Sequence, residues 1–449
     1  MTTKCLPTKI IGEQRMTARH LLFAGLLGAT ALTGTGAFAQ DAATCTGEDV
    51  TLRILRTPGN YPYPAPMEAW RKQHPCVKFE INEVPFAQLA DTISVQAASS
   101  NPPDILVYDG PNTQSYAASG ILLPLTKYLP KEWDADILPA TKAEHSYNGE
   151  VYSPGIEQTT VAMYYNKTLT GAAGIMPPQT LADSWTWPQA LEAFKKCQQG
   201  PAGAPTVWGL GPTRFGNGQP GLVYQDLIFQ RSAGDPKADP SSSAYKTFWA
   251  LSPDGKSIDG YLNTPEAIEA LKFYGSLFNA EGVAPKASIP NAFFDGKACF
   301  YIDTPAAGNA LLKDPKIEWG ITPVPHFKTP VVHTGSTTIG ATARSKNPEI
   351  AAQFVVDMSW GEYAYMNVSQ RGNLPTLKSL FPRLPVYSDY PMKVFVDELQ
   401  EWGQPRPPGP KFAQYDKLVT DALRGVAFGG DPATLMADAE KKVQRVLDR

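Results

Sequence analysis

The chain has 449 residues, of which 43% are hydrophobic and only 18% are charged. At ~150 residues per domain this length excludes a single small module, and the apolar content indicates a folded protein with a large core rather than a disordered chain. Its 40 basic and 43 acidic residues give a net charge of −3 without a basic cluster, which argues against a nucleic-acid partner.

Residues 1–39 have the organisation of a secretory signal peptide. Four basic residues accompany an apolar run over residues 21–32, and small residues ending in Ala37-Phe38-Ala39 follow it. The run is too short to span a bilayer of ~30 Å. We therefore expect export and cleavage before Gln40, with Met16 as an alternative start of the chain.

Strand and helix patterns alternate in the first part of the mature chain, which predicts an α/β fold with a parallel sheet. The predicted elements are strand 50–55, helix near 65–73, strand 77–84, helix near 86–99, strand 104–108, strand 161–165, helix 188–196, helix 265–279, helix 350–359 and helix 432–447. Ligands of such sheets bind beyond the carboxyl ends of the strands, which here are residues 56–64 and 109–112. The loops 200–220 and 404–410 are rich in glycine and proline, so we interpret them as surface connections or walls of a site.

The mature chain keeps four cysteines, and export permits disulfides. Cys45 and Cys76 each precede a predicted strand of one β-α-β unit, so both lie at the amino ends of neighbouring parallel strands. This arrangement predicts a Cys45–Cys76 disulfide. Cys197 ends a predicted helix and Cys299 lies in an apolar run, so we interpret both as free thiols.

Nine short segments form an ordered set of landmarks along nearly the whole mature chain. They are Trp70–Glu80, Pro103–Asp109, Gly120–Leu125, Tyr147–Pro154, Met163–Lys167, Ser184–Pro188, Phe294–Ile302, Trp319–Pro325 and Ser345–Ala352. In order and spacing this set resembles the extracellular solute-binding proteins of carbohydrate ABC transporters, solute-binding family 1. The chain departs from the family pattern at residues 334–338, where a Gly-Gly pair is common.

The resemblance implies the type II periplasmic binding protein fold, in which two α/β lobes close around a solute by hinge bending. The implied N-terminal lobe comprises residues 40–154 and 336–371, and the C-terminal lobe comprises residues 157–332 and 375–449. The chain would cross between them near 153–157, 332–336 and 372–375.

The function that the resemblance implies is the capture of a mono- or oligosaccharide in the cleft between the lobes and its delivery to the membrane permease of an ABC importer. Such a protein is monomeric, periplasmic and not an enzyme. We expect no cofactor, no metal and no partner besides the solute and the permease.

A sugar site needs aromatic surfaces together with polar groups that donate and accept hydrogen bonds. Matched to the family, the landmarks give thirteen candidate ligand-binding residues: Asn60, Tyr61, Tyr63, Asp109, Asn112, Glu157, Gln158, Trp208, Arg214, Asp303, Thr304, Ser336 and Arg371. Structural roles remain open for several of them, such as turn residues at 60–63, a buried tryptophan at 208 and a helix cap at 303. Trp185 and Trp187 are interpreted as core residues.

Motifs of several enzyme classes are absent from the sequence. There is no histidine pair at helical i, i+4 spacing, no C-x-x-C, no G-x-S-x-G and no phosphate-binding loop. The alternatives that stay open are a binding protein for a polyol, glycerol phosphate or polyamine and, further off, a secreted glycoside hydrolase, which needs only two suitably spaced carboxylates.

Overall fold

The structure is a computed structural model, and it describes residues 47–219, 221–335 and 337–449. The predicted signal peptide, Cys45 with its predicted pairing to Cys76, and Ser336 lie outside the described residues. Arg371 is described only through its backbone, at the end of a helix.

Strands and helices cover much of the described chain. The strands are β1 Val50–Arg56, β2 Val77–Glu83, β3 Ile105–Asp109, β4 Ser146–Tyr147, β5 Glu150–Val151, β6 Glu157–Gln158, β7 Ala162–Asn166, β8 Trp208–Leu210, β9 Ala298–Asp303, β10 Trp319–Thr322, β11 Val332–Thr334, β12 Thr337–Ala341, β13 Leu374–Pro375 and β14 Gly403–Pro405. The helices are α1 Pro64–Gln73, α2 Phe86–Ala97, α3 Thr113–Ala118, α4 Trp133–Asp136, α5 Pro139–His145, α6 Lys167–Ala172, α7 Trp187–Cys197, α8 Leu227–Ala233, α9 Ser243–Trp249, α10 Pro265–Phe278, α11 Pro305–Lys313, α12 Pro348–Met358, α13 Gly361–Arg371, α14 Lys393–Glu401, α15 Phe412–Ala427 and α16 Pro432–Leu447. Each predicted element is present within a residue or two of its predicted bounds.

The first sheet has the strand order β12-β3-β1-β2. β1 runs parallel to both β2 and β3, as the alternation of strand and helix predicts, with Val50 opposite Val77. β12 joins this sheet antiparallel to β3 and sets Thr337 opposite Asp109. The carboxyl end of β3 and the start of β12 therefore lie side by side at one edge.

The second sheet has the order β10-β7-β9-β8 and is mostly antiparallel. β7 pairs antiparallel with β10 and with β9, and only β8 runs parallel to β9. The expectation of a parallel sheet therefore holds for the first three strands of the chain and not for this second sheet.

Short pairings join the chain segments that were predicted to cross between the lobes. β6 pairs antiparallel with β13, which brings residues 157–158 against residues 374–375. Thr159 and Gly335 exchange two backbone hydrogen bonds of 2.7 and 2.9 Å. β11 pairs with β14 alongside.

Large apolar clusters form the core around the two sheets. In one, Trp187 of α7 is fully buried and stacks on Phe229 with ring centroids 3.8 Å apart, which confirms its structural role. In the other, Trp70 of α1 packs edge-on against Phe354 of α12 over the first sheet. None of the helices in the described ranges is both long enough and apolar enough to pass through a bilayer.

Local sequence signals explain where several helices begin. Thr264 caps α10, because its hydroxyl accepts a hydrogen bond of 3.1 Å from the backbone amide of Ala267. α12 begins at Pro348, two residues before the predicted start at 350, and the Asn347 side chain does not cap it. The amide of Asn347 instead donates to the Ser345 hydroxyl at 3.0 Å.

The expectation of free thiols at Cys197 and Cys299 is wrong. The two residues form a disulfide with their Cα atoms 6.2 Å apart. Cys197 is the last residue of α7, and this helix packs on the sheet that contains Cys299 in β9. Both are buried, so the apolar environment that suggested two separate thiols is the interface that they share.

Candidate functional site

A cavity of about 350 Å³ lies between the edges of the two sheets. From the first sheet, Asp109 at the carboxyl end of β3 and Thr337 at the start of β12 line it. From the second sheet, Thr304 lines it directly after β9 ends at Asp303. The cavity is therefore at the strand ends where α/β proteins bind their ligands.

The segments that join the sheets form another part of the cavity wall. Glu157 of β6 is buried to 2% exposure and lines the cavity together with Thr159, Gly335 and Asn373. The two backbone hydrogen bonds between Thr159 and Gly335 fix the separation of their strands here. The polar side chains of these segments thus enter the cavity from backbone that hydrogen bonds hold in place.

An ion pair crosses one side of the cavity. Arg406, which follows β14, donates two hydrogen bonds to the carboxylate of Asp109, at 2.8 and 3.0 Å. Burial alone lowers the pKa of Arg406, but the Asp109 carboxylate more than offsets this effect and the pKa is raised above its ordinary value. The guanidinium is therefore charged, and two parallel bonds hold its orientation.

Tyr224 lies beside two guanidinium groups. Arg406 and Arg214 are 5.3 and 5.6 Å from the centroid of its ring, within range of cation–π attraction. Its hydroxyl is 2.9 Å from the Thr159 hydroxyl, and burial raises its pKa to about 12. A Cβ atom on Gly335 would lie 2.3 Å from this ring, so the ring is seated against a position that accommodates only glycine.

Asp416 of α15 brings a further carboxyl group to the cavity. Its Oδ1 atom is buried and has no hydrogen-bond partner among the described residues. Burial raises the pKa of Asp416 to about 6, although the nearby Arg406 charge acts in the opposite direction. This side chain is a hydrogen-bonding group that remains available to a solute.

Phe86, the first residue of α2, adds an aromatic surface to the cavity. Its side chain is 54% exposed, which is unusual for a phenylalanine in this protein. An exposed ring in the wall of a polar cavity offers a flat apolar face to a solute.

Four of the predicted site residues line this cavity: Asp109, Glu157, Arg214 and Thr304. Arg214 is positioned through Gln225, which accepts a 3.0 Å hydrogen bond from the Arg214 amide and donates one of 2.9 Å to the carbonyl of Ile302 at the end of the second sheet. Asn112 lines a smaller neighbouring cavity.

The structure does not bring Asn60, Tyr61 or Tyr63 to the cavity. The Asn60 side chain accepts from the Tyr61 amide at 2.9 Å and donates to the Thr57 hydroxyl at 3.0 Å, as a turn residue does. Tyr61 is fully buried in the core, and Tyr63 packs against the same core. The apolar core takes up both aromatic rings that suggested a sugar platform.

Three other predicted residues also lie outside the lining of the cavity. Gln158 is fully buried and donates to the Thr141 hydroxyl at 2.8 Å. Trp208 packs against the core from β8. Asp303 accepts hydrogen bonds from the Tyr301 hydroxyl and the Thr304 amide, so its carboxylate is engaged beside the cavity and not within it.

Sequence reasoning missed Phe86, Thr159, Tyr224, Arg406 and Asp416 as residues of the site. A signal exists for Arg406, because it lies in the loop 404–410, whose glycine and proline content indicates a surface connection or a wall of a site. Asp416 carries no such signal, since a single acidic residue in an amphipathic helix is normally on the solvated face.

A family model for bacterial extracellular solute-binding proteins matches residues 56–358 of the sequence. The chain belongs to this family. Among curated relatives, a binding protein of Brucella abortus (strain 2308) is 21% identical over 394 residues, covering 85% of this chain and 89% of the relative. The galactooligosaccharide-binding protein of Bacillus subtilis (strain 168) is 23% identical over 390 residues and 83% of each chain.

Solved structures show the same fold for this solute-binding protein. An ABC transporter solute-binding protein from Thermotoga lettingae, bound with α-D-tagatose, superposes with a TM-score of 0.73 at 19% identity, over 89% of this chain and all of that one. UgpB from Mycobacterium tuberculosis, in complex with glycerophosphocholine, gives a TM-score of 0.69 at 18% identity, over 88% and 98%. The expected two-lobed periplasmic binding fold is therefore confirmed.

The members of the matched family are binding proteins and not enzymes, and they work outside the cytoplasm as their description states. The cavity is therefore the candidate site for a solute.

Proposed function

We propose that this solute-binding protein captures a carbohydrate, a mono- or oligosaccharide, in the 350 Å³ cavity and delivers it to the membrane permease of an ABC importer. The observation that carries the proposal is the mixed lining of the cavity. Carboxyl groups, hydroxyl groups and one exposed phenylalanine ring surround a volume within the ~300–1,000 Å³ that small-molecule sites occupy.

This lining matches the chemistry of a sugar. Hydroxyl groups of a sugar can donate to the carboxylates of Glu157 and Asp416 and accept from the guanidinium of Arg214. Hydrogen bonds to charged groups contribute ~1.5–3 kcal/mol each when both partners leave water. The exposed ring of Phe86 offers a surface for the C–H face of a sugar ring.

The balance of charge favours a neutral solute over the other candidates. The lining carries the carboxyl groups of Asp109, Glu157 and Asp416 and the guanidinium groups of Arg214 and Arg406, and Asp109 forms an ion pair with Arg406. A phosphate ester would meet the three carboxyl groups, and a polyamine would meet the two guanidinium groups. Both charged classes therefore face like charges in the lining, which a neutral sugar or polyol does not.

The proposed mechanism is hinge closure of lobes with the limits 40–154 plus 336–371 and 157–332 plus 375–449. The hydrogen-bonded segments 157–159, 335 and 373–375 support crossings near the three predicted positions. A solute in the cavity would contact Asp109 and Thr337 of one lobe and Thr304 and Asp416 of the other. It shifts the equilibrium only by as much as it binds the closed state better than the open one.

The test is a thermal-shift screen of purified mature protein against monosaccharides, disaccharides, oligosaccharides, polyols, phosphate esters and amines, followed by calorimetric titration of each hit. A solute at 100 times its Kd adds about 2.7 kcal/mol to the free energy of unfolding. Glu157→Gln should weaken the best sugar at least tenfold, because a bond to a charged acceptor is lost. Glu150→Gln, an exposed acidic residue on β5, is the matched control and should bind like the wild type.

Binding of a phosphate ester or an amine without binding of any sugar or polyol would overturn the carbohydrate proposal. Release of shorter sugars from an oligosaccharide would instead support the alternative of a secreted glycoside hydrolase. The proposed export is tested separately, since amino-terminal sequencing of protein from the periplasm should begin at Gln40.

A further inference from the structure

A second cavity of about 190 Å³ adjoins the first one. Phe86, Asp109 and Asp416 line both cavities, so the two spaces are neighbours that share these side chains. The second cavity extends along the start of α15, where Phe412 and Ala413 line it, and reaches Asn112.

Two acceptor atoms at this second cavity lack donors. The Oδ1 atoms of Asn112 and Asp416 are both buried, and no described residue donates a hydrogen bond to either of them. Buried polar atoms in folded proteins almost always have a partner. A solute that supplies O–H or N–H donors on both sides of Asp416 would satisfy these two acceptors.

The rest of the lining restricts which chemical group fits. Phe86, Phe412 and Tyr116 present aromatic surface, and Asp109 and Asp416 present carboxyl groups. No basic residue is among the described residues that line this cavity, so an anionic group would be repelled there. A neutral unit with hydroxyl donors and an apolar face meets both conditions.

We propose that the natural solute consists of at least two linked neutral sugar units, one in each cavity, with Phe86 beneath both and Asp416 hydrogen-bonded between them. The inference rests on the proposed function, because it deepens the carbohydrate proposal to a disaccharide or longer chain. It assigns a ligand role to Asn112, Phe412 and Asp416 in the smaller cavity.

Calorimetric titration of a panel of monosaccharides and their disaccharides tests the inference. At least one disaccharide should bind ten times more tightly, or better, than either of its component units. Ala413→Trp fills the smaller cavity from the exposed start of α15 and should reduce this ratio of affinities to near one. Gln414→Trp is the matched control on the next residue, which is exposed and lines neither cavity, and it should keep the wild-type ratio.

Asn112→Ala is a second variant that removes one acceptor without filling space. The Asn112 side chain makes no capping hydrogen bond to α3, so the variant should keep its unfolding midpoint while the ratio falls roughly tenfold. Equal binding of monosaccharides and disaccharides, or an unchanged ratio in Ala413→Trp, would overturn the two-unit inference and leave the carbohydrate proposal intact. Absence of binding by any sugar would overturn both.

Discussion

Asp226 should make the stability of this protein fall as the pH rises. Its side chain is fully buried directly before α8, and neither carboxyl oxygen forms a hydrogen bond of normal geometry with a described residue. Burial raises its pKa to about 7, and the charge of Arg214 opposes this only in part. The buried group is therefore much easier to keep neutral than ionised.

The sign and size of the effect follow from proton linkage. An unfolded aspartate has a pKa near ~3.9, so between about pH 4 and pH 7 the folded protein binds more protons than the unfolded chain. The stabilisation is complete below pH ~4 and is lost as the pH rises through about 7. A shift of ~3 pKa units corresponds to roughly 4 kcal/mol of unfolding free energy.

Asp226→Asn removes the ionisation and keeps the shape of the side chain. Its unfolding free energy relative to the wild type should increase by roughly 4 kcal/mol between pH 4 and pH 8, measured by urea denaturation at unit pH steps. Asp259→Asn, an exposed carboxyl group, is the control whose difference from the wild type should stay flat. A difference between Asp226→Asn and the wild type that does not change with pH would refute the reasoning.

Three further predictions concern the Asp109–Arg406 ion pair, the contact between Gly335 and the Tyr224 ring, and the Cys197–Cys299 disulfide. Arg406→Met should lower the unfolding free energy by about 3 kcal/mol, because it leaves the partly buried Asp109 carboxylate without its ionic partner. A double-mutant cycle with Asp109→Asn should give a coupling energy of about 2 kcal/mol. Additive effects of the two substitutions would contradict a stabilising ion pair. Gly335→Ala should displace the Tyr224 ring and weaken solute binding at least tenfold in calorimetric titration. An unchanged affinity would exclude a role in binding for the contact between Gly335 and Tyr224. Cys197→Ala should lower the unfolding free energy measured by urea denaturation by about 4 kcal/mol, because it removes a disulfide that closes a loop of 102 residues. The wild type with its disulfide reduced should lose the same amount, and a smaller loss would show that the substitution acts in another way.

Local elements of the fold were predictable because neighbouring residues determine them. Thr264 and Pro265 specify the start of α10 within one turn, and the structure places the cap and the first helical residue there. The parallel pairing of β1 with β2 likewise follows from a short helix between two strands. In both cases the deciding contacts join residues that are close in the sequence.

The pairing of Cys197 with Cys299 could not be predicted in the same way. It depends on how α7 packs on the second sheet, and that packing is decided by apolar residues spread over the whole chain. Each cysteine alone has the surroundings of a buried free thiol. A disulfide partner is therefore a property of the tertiary arrangement and not of the local pattern.

The residues of the proposed solute site also divide into those that the local sequence predicts and those that only the tertiary arrangement brings together. Asp109 and Thr304 follow strands, and the rule that ligands bind beyond strand ends finds them without any knowledge of packing. Tyr61 follows a strand as well, but the rule does not say which side chain of a loop turns toward the core. Arg406 reaches Asp109 across 297 residues of chain. The local sequence cannot predict such a contact, because it forms only when the loop 404–410 packs against the end of the first sheet.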